Sequence, residues 1–315
     1  MEREVLLLAT GGTIAMRGER AVPSAGPVEL LAEVGLDRVR SRELLGAPGP
    51  HIGLDDALLV ARTAAAEAAA GRGVVVTHGT DTLEETAVLC DLMHDGDAPI
   101  VFTGAIRPAS APGADGPANL IDAVAVAGAA QAAGLGCVVV FAGEIHAARG
   151  ARKVDSAGPT AFGSPGGGPI GRVVEGRLAL RARPVRPPRA LAPERLDFRV
   201  PLIVAALGDD LALLDAPADG AVVATLGGGH LSPAALERVR GAVARIPVVL
   251  AVRPERGAML ASTYGFDGAE GDLRASGAIP AGSLSPQAAR MKLLACLGCG
   301  LRGEDLALAF SQDDP

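Results

Sequence analysis

The sequence predicts two α/β domains, each built on a parallel sheet, joined by a linker. Three observations support this prediction. Short apolar, β-branched runs alternate with helical patterns along the first two thirds of the chain. The stretch PVRPPRALAPERLD, rich in proline and arginine, interrupts the pattern, and the alternation then resumes. We therefore expect an N-terminal domain over residues 1–183, a linker over 184–197 and a C-terminal domain over 198–315.

The N-terminal domain contains four predicted strands, each nearly all apolar, as expected for strands covered on both faces. They are Val5–Ala9, Gly73–Thr77, Pro99–Thr103 and Gly136–Phe141. Apolar residues at helical spacing predict helices between them, over Leu54–Ala70, Leu83–His94 and Pro117–Ala133. Strand–helix–strand units of this length form right-handed crossovers, so the strands are expected to be parallel.

The C-terminal domain repeats this alternation on a smaller scale. Strands are predicted over Leu202–Ala206, Ala221–Thr225 and Pro247–Val252. Helices are predicted over Pro233–Arg245 and Pro286–Leu297. Each of these helices follows a serine, which places an N-cap hydroxyl before a proline at the first helical position.

Composition excludes several classes of protein. A hydrophobic content of 49% in 315 residues excludes a disordered chain, and no apolar stretch is long enough to cross a bilayer. A net charge of −7 with 2% aromatic residues argues against nucleic acid as a partner. The beginning of the chain reads as a first strand and not as a signal peptide, so we expect a cytoplasmic protein with reduced cysteines. The five histidines have no metal-ligand spacing, and no metal is expected.

Polar residues follow four of the predicted strands, where open parallel sheets bind their ligands. The segments are TGGT at 10–13, THGTDT at 77–82, TGAIRP at 103–108 and AGEIHAARGARKVDS at 142–156. The first lacks the lysine of a P-loop and the third glycine of a dinucleotide fingerprint, so no nucleotide cofactor is expected. Its threonines remain candidates for helix capping or for attack on a substrate.

The segment THGTDTLEET carries the densest set of polar candidates. Thr82 and Glu85 have the spacing of a capping box, which predicts a helix start and places Thr80 and Asp81 just before it. Asp81 is then either an alternative cap or a functional carboxylate near the positive end of a helix. Gly79 allows the backbone to approach a ligand closely.

A threonine nucleophile needs a base, and the chain offers few lysines for that role. Lys153 and Lys292 are the only two, every other basic residue apart from histidine being arginine. Lys292 falls in the pattern of an exposed helix position. Lys153 follows an apolar strand, and a partly desolvated lysine there can act as a base, which arginine cannot do.

TGGTIA at 10–15 and HGTDTLEETA at 78–87 resemble the two signature motifs of the bacterial-type L-asparaginases. The similarity continues through TGAIRP, DGPANLIDAV, KVDS and LSPQAAR, and so covers nearly the whole chain. The resemblance implies a larger N-terminal flavodoxin-like domain and a smaller C-terminal α/β domain. It also implies hydrolysis of L-asparagine to L-aspartate and ammonia, without cofactor, in a homotetramer or homodimer.

Site residues carried over by these motifs fall into two groups. The resemblance implies that Thr13 is the primary nucleophile and that Thr80, Asp81 and Lys153 form a triad that activates a nucleophile or water. It assigns the substrate's α-ammonium group to Asp81. It also implies substrate contacts at Gly12 and at the backbone N–H groups of Gly79 and Thr80, which are suited to an oxyanion.

The sequence departs from the family pattern at two places. The segment after TGGTIA lacks the tyrosine found there in many members, and Ser24 is its one hydroxyl side chain. Before the Leu54 helix, APGPHIG lacks the family's serine and glutamine, which leaves His51 or backbone to hold the α-carboxylate. The acid that reaches a neighbouring subunit's site is expected to be Glu270 or Asp272. Alternatives are another ω-amide substrate, such as glutamine, and a non-catalytic amino-acid-binding regulatory protein.

Overall fold

A computed structural model of the chain describes residues 3–18, 22–186 and 190–311. The chain forms two compact units, Met1–Ala190 and Leu191–Pro315. The division falls inside the segment 184–197 that was predicted as a linker, of which 187–189 lie outside the described residues. Both units are α/β, which confirms the predicted fold class.

The described residues form sixteen strands and eight α-helices. The strands are β1 Val5–Gly11, β2 Met16–Arg17, β3 Val22–Pro23, β4 Arg40–Ala47, β5 Gly73–Thr77, β6 Ile100–Thr103, β7 Cys137–Phe141, β8 Glu144–Ala147, β9 Arg152–Lys153, β10 Phe162–Gly163, β11 Gly171–Val174, β12 Arg177–Leu180, β13 Leu202–Val204, β14 Ala221–Thr225, β15 Val248–Val252 and β16 Ile279–Pro280. The helices are α1 Pro27–Glu33, α2 Leu54–Ala69, α3 Leu83–Leu92, α4 Gly116–Gly128, α5 Pro233–Val243, α6 Glu270–Ala275, α7 Pro286–Gly298 and α8 Gly303–Ser311.

The first unit is organised around an eight-stranded sheet of order β12-β11-β8-β7-β6-β5-β1-β4. Its five strands β4, β1, β5, β6 and β7 are parallel and follow the flavodoxin-like order 2-1-3-4-5. The three strands beyond β7 are antiparallel, so the sheet is mixed and not purely parallel. The predicted strands β1, β5, β6 and β7 form its buried centre, and the strands that sequence patterns missed lie on either side of them.

The core of the first unit explains why the central strands were recognisable. Strands β5, β6 and β7 are buried along their whole length, because helices cover both faces of the sheet. On one face, α4 packs its apolar residues against the alternate residues of the strands. The predicted helix over Pro117–Ala133 stops at Gly128, and a separate 3₁₀ turn follows over Ala130–Ala132.

The second unit contains a four-stranded parallel sheet of order β13-β14-β15-β16. The predicted N-caps are confirmed: Ser232 Oγ accepts the N–H of Ala235, and Ser285 Oγ accepts the N–H of Ala288. The sequence prediction was wrong for Lys292, which is 3% exposed. Its Nζ donates to the Ala309 carbonyl in α8, a helix that the sequence patterns did not predict.

Candidate active site

The loops that follow β1 and β5 meet at the topological switch point of the first sheet. From β1 the chain crosses to β4 on one side, whereas β5, on the other side of β1, leads on to β6. Open α/β sheets bind ligands in the crevice that such a reversal creates at the carboxyl ends of the strands. The loop after β1 carries Thr13, and the loop after β5 carries Thr80 and Asp81.

Three glycines allow these loops to approach each other at backbone distance. A Cβ atom on Gly12 would lie 2.6 Å from the Cα of Gly79, and one on Gly79 would lie 2.4 Å from the Cα of Gly49. Gly12 also has a φ of 79°, a left-handed conformation that disfavours side chains. We call Gly12, Gly49 and Gly79 the glycine junction. It brings the residues that follow Gly12 and Gly79, namely Thr13 and Thr80, to neighbouring positions.

Thr13 begins a short 3₁₀ turn over Thr13–Ala15. Its side chain is half-buried, and no other described residue hydrogen-bonds its hydroxyl. Thr10, by contrast, is fully buried and donates to the carbonyl of Thr77 at 2.8 Å, which gives it a structural role at the strand end. Of the two threonines that flank the glycines, Thr10 therefore has its hydroxyl in a backbone hydrogen bond, and Thr13 has a hydroxyl without a partner among the described residues.

Lys153 joins Thr80 and Asp81 in one hydrogen-bonded cluster. Its Nζ lies 2.9 Å from Thr80 Oγ1 and 2.7 Å from Asp81 Oδ1, although more than 70 residues separate it from both in sequence. Thr80 is 6% exposed, whereas the side chains of Lys153 and Asp81 are 19% and 55% exposed. The cluster thus has a buried hydroxyl at one end and a solvent-accessible carboxylate at the other.

Helix α3 starts directly after this cluster, as predicted, but it is not closed by the predicted capping box. Thr82 is the N-cap residue, yet its side chain accepts no hydrogen bond from the helix. Its hydroxyl instead donates to the carbonyl of Gly49 at 3.0 Å, because the glycine junction places that carbonyl within reach. The N-terminus of α3 is thereby tied to the junction.

A second network, which the sequence analysis missed, supports the loops after β6 and β7. The Asp115 carboxylate accepts the N–H groups of Ile106 and Arg107 at 3.0 and 2.8 Å. The Asn119 amide donates to the Gly104 carbonyl and accepts the N–H of Ala142, at 3.0 and 2.9 Å. The motif DGPANL contains both residues, so its polar positions stabilise the neighbouring strand ends.

Ser24 and His51 flank the site without contacting the cluster of Lys153, Thr80 and Asp81 in the described residues. Ser24 follows the β2–β3 hairpin, and its N–H donates to the carbonyl of Ala15 at 2.9 Å. Its side chain and that of His51 are exposed. His51 ends the 3₁₀ turn that begins at Gly49, and this turn places it beside the glycine junction.

Glu270 lies in the second unit, where its side chain is fully buried. It accepts the N–H groups of Thr263 and Tyr264, and its Oε2 lies 3.2 Å from Nε2 of His230. Burial raises the pKa of this carboxyl, but these hydrogen bonds outweigh burial and leave the pKa lowered. Within the described chain, the Glu270 carboxylate therefore holds its own loop. Asp272 accepts the N–H of Gly268 at 3.0 Å.

His78 has a structural role and is not a base or a metal ligand. Complete burial lowers its pKa to about 4, and its Nδ1 lies 2.9 Å from the carbonyl of Gly79. The neutral ring therefore donates to the backbone at the glycine junction. Among the described residues, no group of three or more His, Cys, Asp or Glu side chains is arranged to hold a metal ion. No helix in the described ranges is long and apolar enough to span a membrane.

Comparison with protein families matches both parts of the chain. The family described as "Asparaginase, N-terminal" matches residues 4–186, and the "Glutaminase/Asparaginase C-terminal domain" matches residues 199–310. A probable L-asparaginase of Deinococcus radiodurans is 38% identical, covering 97% of this chain and 96% of the relative. L-asparaginase 2 of Escherichia coli is 32% identical, covering 92% of this chain and 87% of the relative.

Two further comparisons concern specificity and fold. A glutaminase-asparaginase of Pseudomonas fluorescens biotype A is 40% identical over 55% of this chain and 51% of that protein. The crystal structure of a probable cytoplasmic L-asparaginase from Campylobacter jejuni superposes with a TM-score of 0.84 at 28% identity. That match covers 98% of both chains.

Proposed function

The chain belongs to the asparaginase family, and we propose that it hydrolyses the side-chain amide of L-asparagine to L-aspartate and ammonia with Thr13 as nucleophile. It is an amidohydrolase of the L-asparaginase type, acting on the amide of asparagine or glutamine. The proposal of asparagine as the substrate and Thr13 as the nucleophile is supported chiefly by one observation. Lys153 Nζ contacts both Thr80 Oγ1 and Asp81 Oδ1 beside the glycine junction.

The proposed reaction has two steps. In the first, Oγ1 of Thr13 bonds to the amide carbon, the C–N bond breaks, and ammonia leaves with the threonine proton. In the second, water attacks the resulting ester, and the acid product and the Thr13 hydroxyl are released. Lys153 takes up and returns protons through the Thr80 hydroxyl, a general acid–base role that contributes about 10²–10⁴-fold in typical enzymes.

Substrate binding is assigned to groups that the fold leaves available. The half-exposed carboxylate of Asp81 pairs with the α-ammonium group of the amino acid. The N–H groups of Gly79 and Thr80 make no hydrogen bond to another described residue, and they are assigned to the oxyanion. Gly12 contributes the close backbone approach that seats the amide, and His51 and Ser24 are assigned to the rim of the site.

Ammonia release from asparagine, glutamine and related ω-amides tests this proposal directly. We expect turnover of asparagine at millimolar concentration and at least a thousandfold lower kcat in Thr13→Ala. Thr10→Ser is the matched control, because it keeps the structural hydroxyl of the other threonine in the motif. Absence of asparagine turnover in the wild-type protein would refute the substrate, and an active Thr13→Ala variant would refute the nucleophile.

Glutamine is the second candidate substrate. The relative from Pseudomonas fluorescens biotype A is named a glutaminase-asparaginase, and the side chains differ by one methylene, which binding sites discriminate by roughly 10- to 200-fold. The ratio of kcat/KM values for the two amides, measured on the same preparation, ranks them. Binding of either amino acid without ammonia release would instead indicate the regulatory alternative.

We also propose that the enzyme is a cytoplasmic homodimer or homotetramer. The Campylobacter jejuni protein, named a probable cytoplasmic L-asparaginase, supports the cytoplasmic assignment, while a Haemophilus influenzae relative at 32% identity is named periplasmic. Light scattering coupled to size-exclusion chromatography measures the assembly, and fractionation of the source cells locates the protein. A monomer of 31.5 kDa would refute the assembly.

A further inference from the structure

Glu84 contacts the backbone of Lys153, and it has been given no role so far. It lies in the first turn of α3, two residues after Thr82. Its Oε2 accepts the N–H of Lys153 at 2.5 Å, and its Oε1 lies 3.3 Å from Nε of Arg152. Both carboxylate oxygens therefore face the two residues of strand β9.

The burial of this carboxylate makes the contact significant. The Glu84 side chain is 11% exposed, and burial raises the pKa of its carboxyl group, against the hydrogen bond from Lys153 and the charge of Arg152. Burying a carboxylate is costly unless hydrogen bonds and opposite charge compensate for the lost water. An exposed acid at the start of a helix would need neither the N–H of Lys153 nor the charge of Arg152. Interaction with the helix dipole alone therefore does not explain the position of Glu84.

The backbone of Lys153 has little other support. Strand β9 has two residues and pairs with the two residues of β10, so its ladder is short. The N–H groups that follow, of Val154 and Asp155, both donate to the carbonyl of Ala161. The N–H of Lys153 itself goes to Glu84 and not to β10, which makes Glu84 the link between this strand and α3.

One helix N-terminus thus organises the whole cluster. The residues immediately before α3 are Thr80 and Asp81, and the first turn of α3 carries Glu84. Thr80 and Asp81 contact the tip of the lysine side chain, and Glu84 contacts its backbone. Fixing both ends of a flexible side chain from one rigid element lowers the entropy lost when Nζ reaches Thr80.

We propose that Glu84 is a positioning residue that holds Lys153 in reach of Thr80 by anchoring the Lys153 backbone. This proposal rests on the proposed function, because it assumes that the Lys153–Thr80 contact serves the hydrolysis of an amide. The expected effect is on kcat more than on KM, since Glu84 touches no part of the substrate.

The first measurement is steady-state kinetics of two substitutions. Glu84→Ala removes the acceptor, and we expect kcat to fall about 10- to 100-fold with KM changed less than about threefold. Glu84→Gln keeps an acceptor oxygen for the N–H of Lys153 but loses the charge that strengthens the bond. It is expected to restore most of the lost kcat, to within about fivefold of the wild-type value.

The second measurement observes Lys153 itself. The chain has two lysines, so a protein labelled with ¹³Cε-lysine gives two lysine signals, which Lys153→Met and Lys292→Met variants assign. We expect Glu84→Ala to shift and broaden the Lys153 signal and to leave the Lys292 signal in place. A residue that merely stabilises the fold would not move one lysine selectively.

Asp91 provides the matched control on the same helix. Its carboxylate is also buried, accepts the N–H of Cys137 at 3.0 Å and pairs with Arg149 at 2.7 Å. Asp91→Ala therefore removes the same kind of contact from α3 at a place that does not touch Lys153. We expect it to lower the melting temperature but to leave kcat within about threefold and the Lys153 signal unchanged.

Three results would overturn the proposal. They are a Glu84→Ala variant with kcat within threefold of wild type, an unshifted Lys153 signal in that variant, or equal effects from Asp91→Ala. Failure of the proposed function is distinguishable from all three. In that case the wild-type protein releases no ammonia from any amide, while the lysine spectra still report whether Glu84 positions Lys153.

Discussion

The two units of this protein differ in what lies at the carboxyl ends of their parallel strands. In the first unit, the loops after β1 and β5 meet at the glycine junction, and the Lys153–Thr80–Asp81 cluster opens to solvent through the half-exposed Asp81. In the second unit, a carboxylate and an imidazole also meet, but the Glu270 side chain is fully buried. His230 there packs edge-on against Tyr264 and Phe266, with ring centroids 5.0 and 5.2 Å away.

The difference lies in how the polar groups at the strand ends are engaged. Glu270 accepts both backbone N–H groups on Oε1, and its Oε2 faces Nε2 of His230, so the buried carboxylate is enclosed by residues of its own unit. In the first unit, the hydroxyl of Thr13 and the N–H groups of Gly79 and Thr80 have no partner among the described residues. Strand ends supply a place for a site, and the unpaired hydroxyl and N–H groups beside it are those that the proposed reaction uses.

The strongest test of this contrast compares the two lysines. Lys153→Met is expected to lower kcat about 10²–10⁴-fold, because it removes the proposed proton carrier, and to change stability by less than about 1 kcal/mol. Lys292→Met is expected to preserve kcat and to lower the free energy of unfolding by about 1–3 kcal/mol, because the Ala309 carbonyl loses its donor. Ammonia release and urea denaturation of both variants measure the two effects. A Lys292→Met variant with the larger kinetic defect would reverse the assignment.

The same two lysines show what sequence reasoning can and cannot reach. Lys153 was identified because lysine is rare in a chain rich in arginine and because it follows an apolar strand. Lys292 was wrongly predicted to be exposed, because helix α7 is buried on more than one side from Met291 through Leu297. Helix α8, which covers Lys292, was not recognisable from the sequence pattern. Burial by an unrecognised neighbour cannot be inferred from the periodicity of one helix.

The second test breaks the glycine junction. A Cβ on Gly79 would lie 2.4 Å from the Cα and 2.5 Å from the N of Gly49, and backbone atoms cannot rotate away as a side chain can. Gly79→Ala is expected to cost about 1–3 kcal/mol of stability and to lower kcat by roughly 100-fold, because Thr80 moves with the loop. Thermal denaturation and ammonia release measure the two quantities.

Gly241 in α5 of the second unit is the matched control. It is exposed, and apart from the neighbouring backbone of its own helix nothing lies within 4 Å of the Cβ that alanine would add. Gly241→Ala is therefore expected to raise stability by roughly 0.5–1 kcal/mol, as alanine does inside helices, and to leave kcat unchanged. Equal destabilisation by both substitutions would mean that the junction has no special role.

The sequence predicted the centre of the fold better than its margins. The buried strands β5, β6 and β7 are nearly all apolar and were recognised within a residue or two. Strand β4, with the sequence RSRELLGA, was missed because its mostly exposed or half-exposed edge position imposes no apolar pattern, and pairing with β1 forms it. The roles of Glu84 and Asn119 were equally hidden, since both depend on contacts across the fold.

The last expected effect, on stability alone, concerns His78 at the strand ends of the first unit. His78, directly after β5, is buried without a carboxylate partner, and its pKa falls to about 4 from an ordinary value of 6.5. The unfolded chain therefore binds a proton between these values that the folded chain does not, so His78 contributes stability above pH 6.5 that is lost as pH falls towards 4. Between pH 7.5 and 5 the loss is about 2 kcal/mol.

Urea denaturation of the wild type and of His78→Gln, each at pH 7.5 and at pH 5, isolates the contribution of His78. We expect the variant to be less stable than the wild type at pH 7.5. The gap between their free energies of unfolding is expected to narrow by about 2 kcal/mol at pH 5. A gap that stays constant would mean that His78 takes up its proton in the folded protein, and the buried, neutral description of this strand end would then be wrong.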